Sequence, residues 1–99
     1  MNFSPKDPAE VIAYGFDFAK LLAVGETLST ATASMRCTAG VDVAPAAMIS
    51  GQAVISGTSV KQTLIGGVAG CTYLFGIQVT TSAGQTFVES ATLKVEERD

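Results

Sequence analysis

The chain has 99 residues, of which 47% are hydrophobic and only 15% charged, with a net charge of −3 and no histidine. That length suits one domain around one core, and the charged fraction is well below the roughly 25% of an average soluble domain. Without histidine there is no Ser-His-Asp or Cys-His catalysis and little scope for a transition-metal site, and the six basic residues (Lys6, Lys20, Arg36, Lys61, Lys94, Arg98) are too scattered to track a nucleic-acid backbone.

The N-terminus, "MNFSPKDPAE", lacks the apolar centre of a signal peptide, and no apolar run approaches the ~18 residues of a membrane span. Synthesis in the cytoplasm and no membrane contact are expected, with residues 1–9 forming an arm on a single domain covering 1–99. Residues 7–25, "DPAEVIAYGFDFAKLLAVG", carry two conflicting signals. Asp7, Pro8 and Glu10 make a helix-starting capping box, with Gly25 as the stop. Against that, Ile12, Tyr14, Phe16 and Phe18 alternate with small or polar residues, and Gly15 would cost a helix interior about 1 kcal/mol. The favoured reading is a strand over 11–18 and one helical turn over 19–23; a single long helix is the alternative.

Residues 27–37, "TLSTATASMRC", read as a half-buried strand. Ala31, Ala33, Met35 and Cys37 lie on one face, and Thr30, Thr32, Ser34 and Arg36 on the other. The stretch "TAGVDVAPAA" is broken by Gly40 and Pro45 and reads as an irregular connection. Residues 48–64 contain an echo, "ISGQAV" then "ISGTSV", that is too short for a solenoid of stacked repeats. Two or three short strands with Gly51 and Gly57 at the turns are expected instead. From Cys71 the pattern is clearest. Tyr73, Phe75, Ile77 and Val79 share one face, "TTSAGQT" supplies a hairpin with Gly84 at positive φ, and Phe87, Ala91, Leu93 and Val95 return inward. Glu89 falls on the same inward face, which calls for a sheet edge or a partner. The last four residues, "EERD", read as a solvated end. Short strands separated by turns predict an all-β, immunoglobulin-like antiparallel sandwich of about seven strands, with Tyr14, Phe16, Phe18, Tyr73, Phe75, Ile77 and Val79 in its core.

Chemistry finds little support. "GGVAG" is followed by Cys71 and Thr72 rather than by Lys and Ser/Thr, so it is not a phosphate loop, and it lacks the dinucleotide fingerprint. The lysines stand singly in polar contexts that give no reason for a lowered pKa, and the acids fall in loops or on wet faces. No catalytic, cofactor-binding or metal site is expected. Cys37 and Cys71 invite comparison with the disulfide that joins the second and sixth strands of immunoglobulin domains. Cys37 ends its strand and Cys71 begins its own. If those strands run parallel across the sandwich, the thiols lie at opposite ends and stay free, behaving as small apolar side chains.

Three stretches, "KDPAEVIAYGFDF", "GETLSTATASM" and "GGVAGCTYLFGIQVTTSAGQTFVESATLKV", resemble the bacteriophage fiber–tail adaptors, a family of small virion proteins. The resemblance runs over nearly the whole chain, in motifs of fold rather than of chemistry. It implies a non-enzymatic virion protein that couples tail, neck and fiber components, present in many copies held by symmetric contacts. It also places Tyr73 at the strand-entry tyrosine whose hydroxyl bonds back to a loop backbone. A capsid decoration protein of the same fold is an alternative. A carbohydrate- or surface-binding module is less favoured, because there is no Trp and most aromatics point inward. Candidate contact residues are Phe3, Pro5 and Pro8 on the arm, and the loop tips with Val41 and Asp42 and with Ser82, Ala83, Gly84 and Gln85. Phe3 capping the sandwich is the plainer reading of that arm.

Overall fold

The structure is a computed structural model and describes residues 2–97, so Met1 and, in the charged end, Arg98 and Asp99 lie outside the described residues. Among the described residues six strands form: β1 (Ile12–Asp17), β2 (Leu28–Ala39), β3 (Ile49–Ser56), β4 (Ser59–Leu64), β5 (Thr72–Thr81) and β6 (Thr86–Lys94). They make two antiparallel three-stranded sheets, β1-β4-β3 and β2-β5-β6. That order is the B-E-D and C-F-G order of an immunoglobulin sandwich. The expected seventh strand is reduced to the N-terminal segment, which bridges β6 in parallel at Asn2–Thr92 and the residue just after β6 at Lys6–Val95. Pro5 has no N–H to give; among the described residues of this segment, Phe3 N and Lys6 N donate to β6, each at 2.9 Å.

The conflict in residues 7–25 resolves as a strand, β1, followed by a short 3-10 turn at Ala19–Leu21. The capping-box bonds nevertheless form. Asp7 N donates to Glu10 Oε1 and Ala9 N to Asp7 Oδ1, both at 2.8 Å, but they close an isolated turn instead of starting a helix. Gly15 explains part of the outcome. A Cβ there would stand 2.5 Å from Val60 O and 2.8 Å from Lys61 Cγ, so β1 packs on β4 at a spacing that only glycine permits.

The return strands also differ in detail from expectation. Gly57 turns the β3–β4 hairpin at φ +61°, but Gly51 (φ +73°) lies within β3, where the register slips between Ser50 and Val54. This is a bulge, and buried Gln62 of β4 holds it through Nε2 bonds to Ser50 O (2.8 Å) and Gly51 O (3.3 Å). β2 runs two residues past the expected end at Cys37, and a 3-10 turn forms at Pro45–Met48 within the expected irregular connection.

The core lies between the sheets. Phe16, Phe18, Tyr73, Phe75, Ile77 and Val79 are buried in it with Val60, Leu64, Leu93 and Val95, while Tyr14 packs at its margin. Burying each large apolar side chain is worth about 1.5–3 kcal/mol, so β5, with six of its ten residues buried, is the spine of the fold. Glu89 is half-buried on β6, which forms a sheet edge. The ring of Phe3 reaches from the N-terminal segment to Tyr14 (4.7 Å between centroids), Phe16 (5.6 Å) and Phe75 (6.2 Å). Phe3→Ala should therefore lower the unfolding free energy by about 1–3 kcal/mol, below the 3–5 kcal/mol typical of a fully buried phenylalanine. Urea titration of both proteins measures it.

Candidate functional site

The antiparallel ladder gathers the connections at two ends. One end carries residues 40–48 and 65–70; the other carries residues 19–27 and the 82–85 hairpin. The ten residues of β5 separate them by about 33 Å at the usual rise per residue, and the molecule is 45 Å in its longest dimension against 23 and 22 Å across.

The first end is organised from below by Tyr73. Its side chain is fully buried, so its hydroxyl needs partners inside the protein. It accepts from Val68 N at 3.0 Å and donates to Asp42 Oδ2 at 2.7 Å, joining the two loops across the end of the sandwich. Asp42 Oδ1 in turn accepts from Ala44 N at 2.9 Å, shaping the turn that follows. Burial above all pushes the Tyr73 hydroxyl well above its usual range; the Val68 N–H opposes this and the Asp42 carboxylate adds to it. The hydroxyl therefore stays protonated and remains a donor to Asp42.

Lys6 supplies a second tie, and nothing in the sequence marked it. Its side chain is fully buried, with Nζ donating to Gly66 O at 2.7 Å and to Asp7 O at 3.0 Å. Desolvation lowers its pKa, while Glu10 and Asp7 oppose the shift. The expectation that no lysine has reason for a lowered pKa is thus corrected. The cause is the parallel docking of residues 2–6 on β6, which carries one cation beneath the 65–70 loop. A lone lysine in "SPKDP" carries no local signal of such burial.

Above these ties the loops present apolar side chains to solvent. Val41 is 81% and Val43 97% exposed, with Ile65 and Val68 also exposed on the facing loop. A shallow hollow between them is lined by Asp42, Ala44, Met48, Ile65, Gly67 and Val68.

The expected contact residues fall in three places. Val41 is exposed on the first end, but the carboxylate of Asp42 is engaged by Tyr73. Ser82, Ala83, Gly84 and Gln85 are exposed on the opposite end, beside fully exposed Val24. That hairpin is tied down through Ser82 N to Thr27 O (2.8 Å) and through the Thr81 hydroxyl to Glu26. On the N-terminal segment Phe3 is turned into the core, while Pro5 and Pro8 are half-buried. The structure therefore does not bring the expected contact residues into one patch.

Both cysteines are free, Cys71 buried and Cys37 half-buried. They do not lie at opposite ends. β2 and β5 are adjacent antiparallel strands of one sheet, so the end of β2 and the entry of β5 coincide. The N-terminal segment takes the place of the first strand, which makes β2 the third strand of the immunoglobulin order instead of the second.

Among the described residues no three His, Cys, Asp or Glu side chains gather as a metal site, and no helix is long and apolar enough to cross a membrane. Residues 6–94 match the family described as podophage GP4 fiber-tail adaptor protein gp77. The chain belongs to the podophage fiber–tail adaptor family. No curated protein sequence matches it. The match begins at Lys6 and ends at Lys94, so in this adaptor it takes in both loop ends, the Tyr73 tie and the buried lysine.

Tyr73→Phe removes both hydroxyl bonds and leaves Val68 N–H and the Asp42 carboxylate without that partner. A loss of about 1–3 kcal/mol is expected, with faster amide exchange in 41–44 and 65–70 and little change in β6. At the opposite end, the Thr81 hydroxyl and then the Ala23 N–H hold Glu26 below its ordinary value of 4.5. Its contribution is present above the unfolded value and lost as pH falls from 4.5 through the lower folded value. Melting temperature measured against pH should thus fall less steeply through that acid window for Glu26→Gln than for the native chain.

Proposed function

We propose that this protein is a non-enzymatic structural component of a bacteriophage virion, coupling tail or neck to fiber components through protein–protein contacts at its two loop ends. It takes no cofactor and acts in many copies around a symmetric assembly. The observation that carries this reading is the fixed presentation of Val41 and Val43. The loop is tied to buried Tyr73 through Asp42, yet both valines stand almost fully in water. Single exposed apolar residues are ordinary on protein surfaces. Four of them on two facing loops that are bonded to one buried hydroxyl are a different matter, because the ordering entropy of docking has been met in advance.

The opposite end carries exposed Val24 beside the 82–85 hairpin, and a body 45 Å long has room for a different neighbour at each end. Family membership supports the adaptor role. With only 15% of the residues charged, contact energy comes from apolar and backbone groups rather than from salt bridges.

Val43→Asp tests the reading. At 97% exposure the side chain has almost no native packing to lose, so stability should stay within about 0.5 kcal/mol of the native chain. Incorporation into particles in a complementation assay should fall sharply, while Val88→Asp on the outer face of β6 should assemble normally. A Val43→Asp protein that enters particles at the native level would remove this end from the interface.

A further inference from the structure

Cys37 and Cys71 are a pair of nucleophilic side chains that the proposed role does not use and that the fold brings together. Cys37 is paired with Tyr73 across the β2–β5 ladder, so Cys71, two residues earlier, is its diagonal neighbour on the same inward face. The register slips between Cys37 and Ala39, and Gly40 then turns at φ +87° directly over Cys71. A Cβ on Gly40 would lie 2.7 Å from Cys71 Sγ, while Cys37 Sγ donates to Ala39 O at 3.3 Å and to Gly40 O at 3.7 Å. Cys71 Sγ donates to Val41 O at 3.5 Å. Both sulfurs therefore pack against the same short length of backbone, 39–41. Burial first, and then neighbouring Cys71, raise the pKa of the Cys37 thiol, so attack through its thiolate quickens as pH rises.

Diagonal partners in a regular ladder have Cα atoms about 7–8 Å apart, slightly beyond the roughly 6.8 Å limit for a disulfide. The slipped register and the glycine at position 40 place an adaptable piece of backbone where the small closing movement is needed. Half-buried Cys37 is the sulfur that an oxidant can reach.

We propose that Cys37 and Cys71 are a modification site, a dithiol that a low-molecular-weight disulfide such as oxidised glutathione converts to an intramolecular disulfide. The Cys37 thiolate attacks one sulfur of oxidised glutathione, breaking its S–S bond and releasing one glutathione thiolate. The Cys71 thiolate then attacks the Cys37 sulfur and releases the second glutathione. The two protein protons end on the two glutathione thiols, so one disulfide is reduced as one is formed. The new bond joins the end of β2 to the entry of β5 and fastens the base of the 40–44 loop. It also withdraws the Cys71 donor from Val41 O.

The test incubates the native full chain with oxidised glutathione, quenches with acid, and then reads intact mass and denatured thiol titre. A loss of two hydrogens, no remaining thiol, a monomer on non-reducing electrophoresis and reversal by dithiothreitol are expected. Cys71→Ser, which lacks the resolving thiol, should instead retain one bound glutathione. If that variant does not fold, the native protein still decides the question by mass. The proposal fails if the native chain keeps glutathione as a mixed disulfide, forms a disulfide dimer, or retains both thiols under conditions that oxidise the unfolded chain.

Discussion

A buried tyrosine has one polar atom to satisfy, and in this protein its satisfaction fixes one loop end of the molecule. Tyr73 opens β5, the most deeply buried strand, and brings its hydroxyl up between two loops that come from different sheets. One partner is a backbone amide five residues upstream and the other is a carboxylate 31 residues upstream. Leaving either unpaired inside the protein costs about as much as one or two ordinary stabilising contacts. The loops are therefore ordered by the core, and Val41 and Val43 can face water without depending on their own packing.

The N-terminal segment completes this arrangement from the side. Phe3 closes the aromatic group of Tyr14, Phe16 and Phe75, and Lys6 reaches under the 65–70 loop. Phe3 and Lys6 of this segment are thus used inside the fold. With one edge of β6 partly covered by this segment, the two loop ends become the more distinctive surfaces of an elongated body.

Strand order and core were legible where the side-chain period was strong. The β5–β6 hairpin followed from Tyr73, Phe75, Ile77 and Val79 and from the glycine at position 84. β1 was legible despite a complete capping box, because the alternation from Ile12 to Phe18 outweighs a few end bonds that can close a single turn. Three features were hidden for physical reasons. Gly51 looks like a turn residue, and only the partner strand reveals that it is a bulge. Lys6 gives no sign of burial, because the parallel pairing that buries it is made with β6, nearly ninety residues away. The proximity of Cys37 and Cys71 was in principle readable. The strand-entry tyrosine marks β5 as the sixth strand of the immunoglobulin order, and counting back makes β2 the third, its antiparallel neighbour. Counting from the N-terminus failed because the first strand is reduced to two bridges.

An electron cryomicroscopy reconstruction of the intact particle tests the central claim most directly, by showing which surface of this sandwich meets its neighbours. The account predicts that residues 40–44 and 65–68 are buried against another structural protein, with the Tyr73–Asp42 tie preserved. A reconstruction in which that end faces solvent, while an outer sheet face makes the contacts, would contradict it.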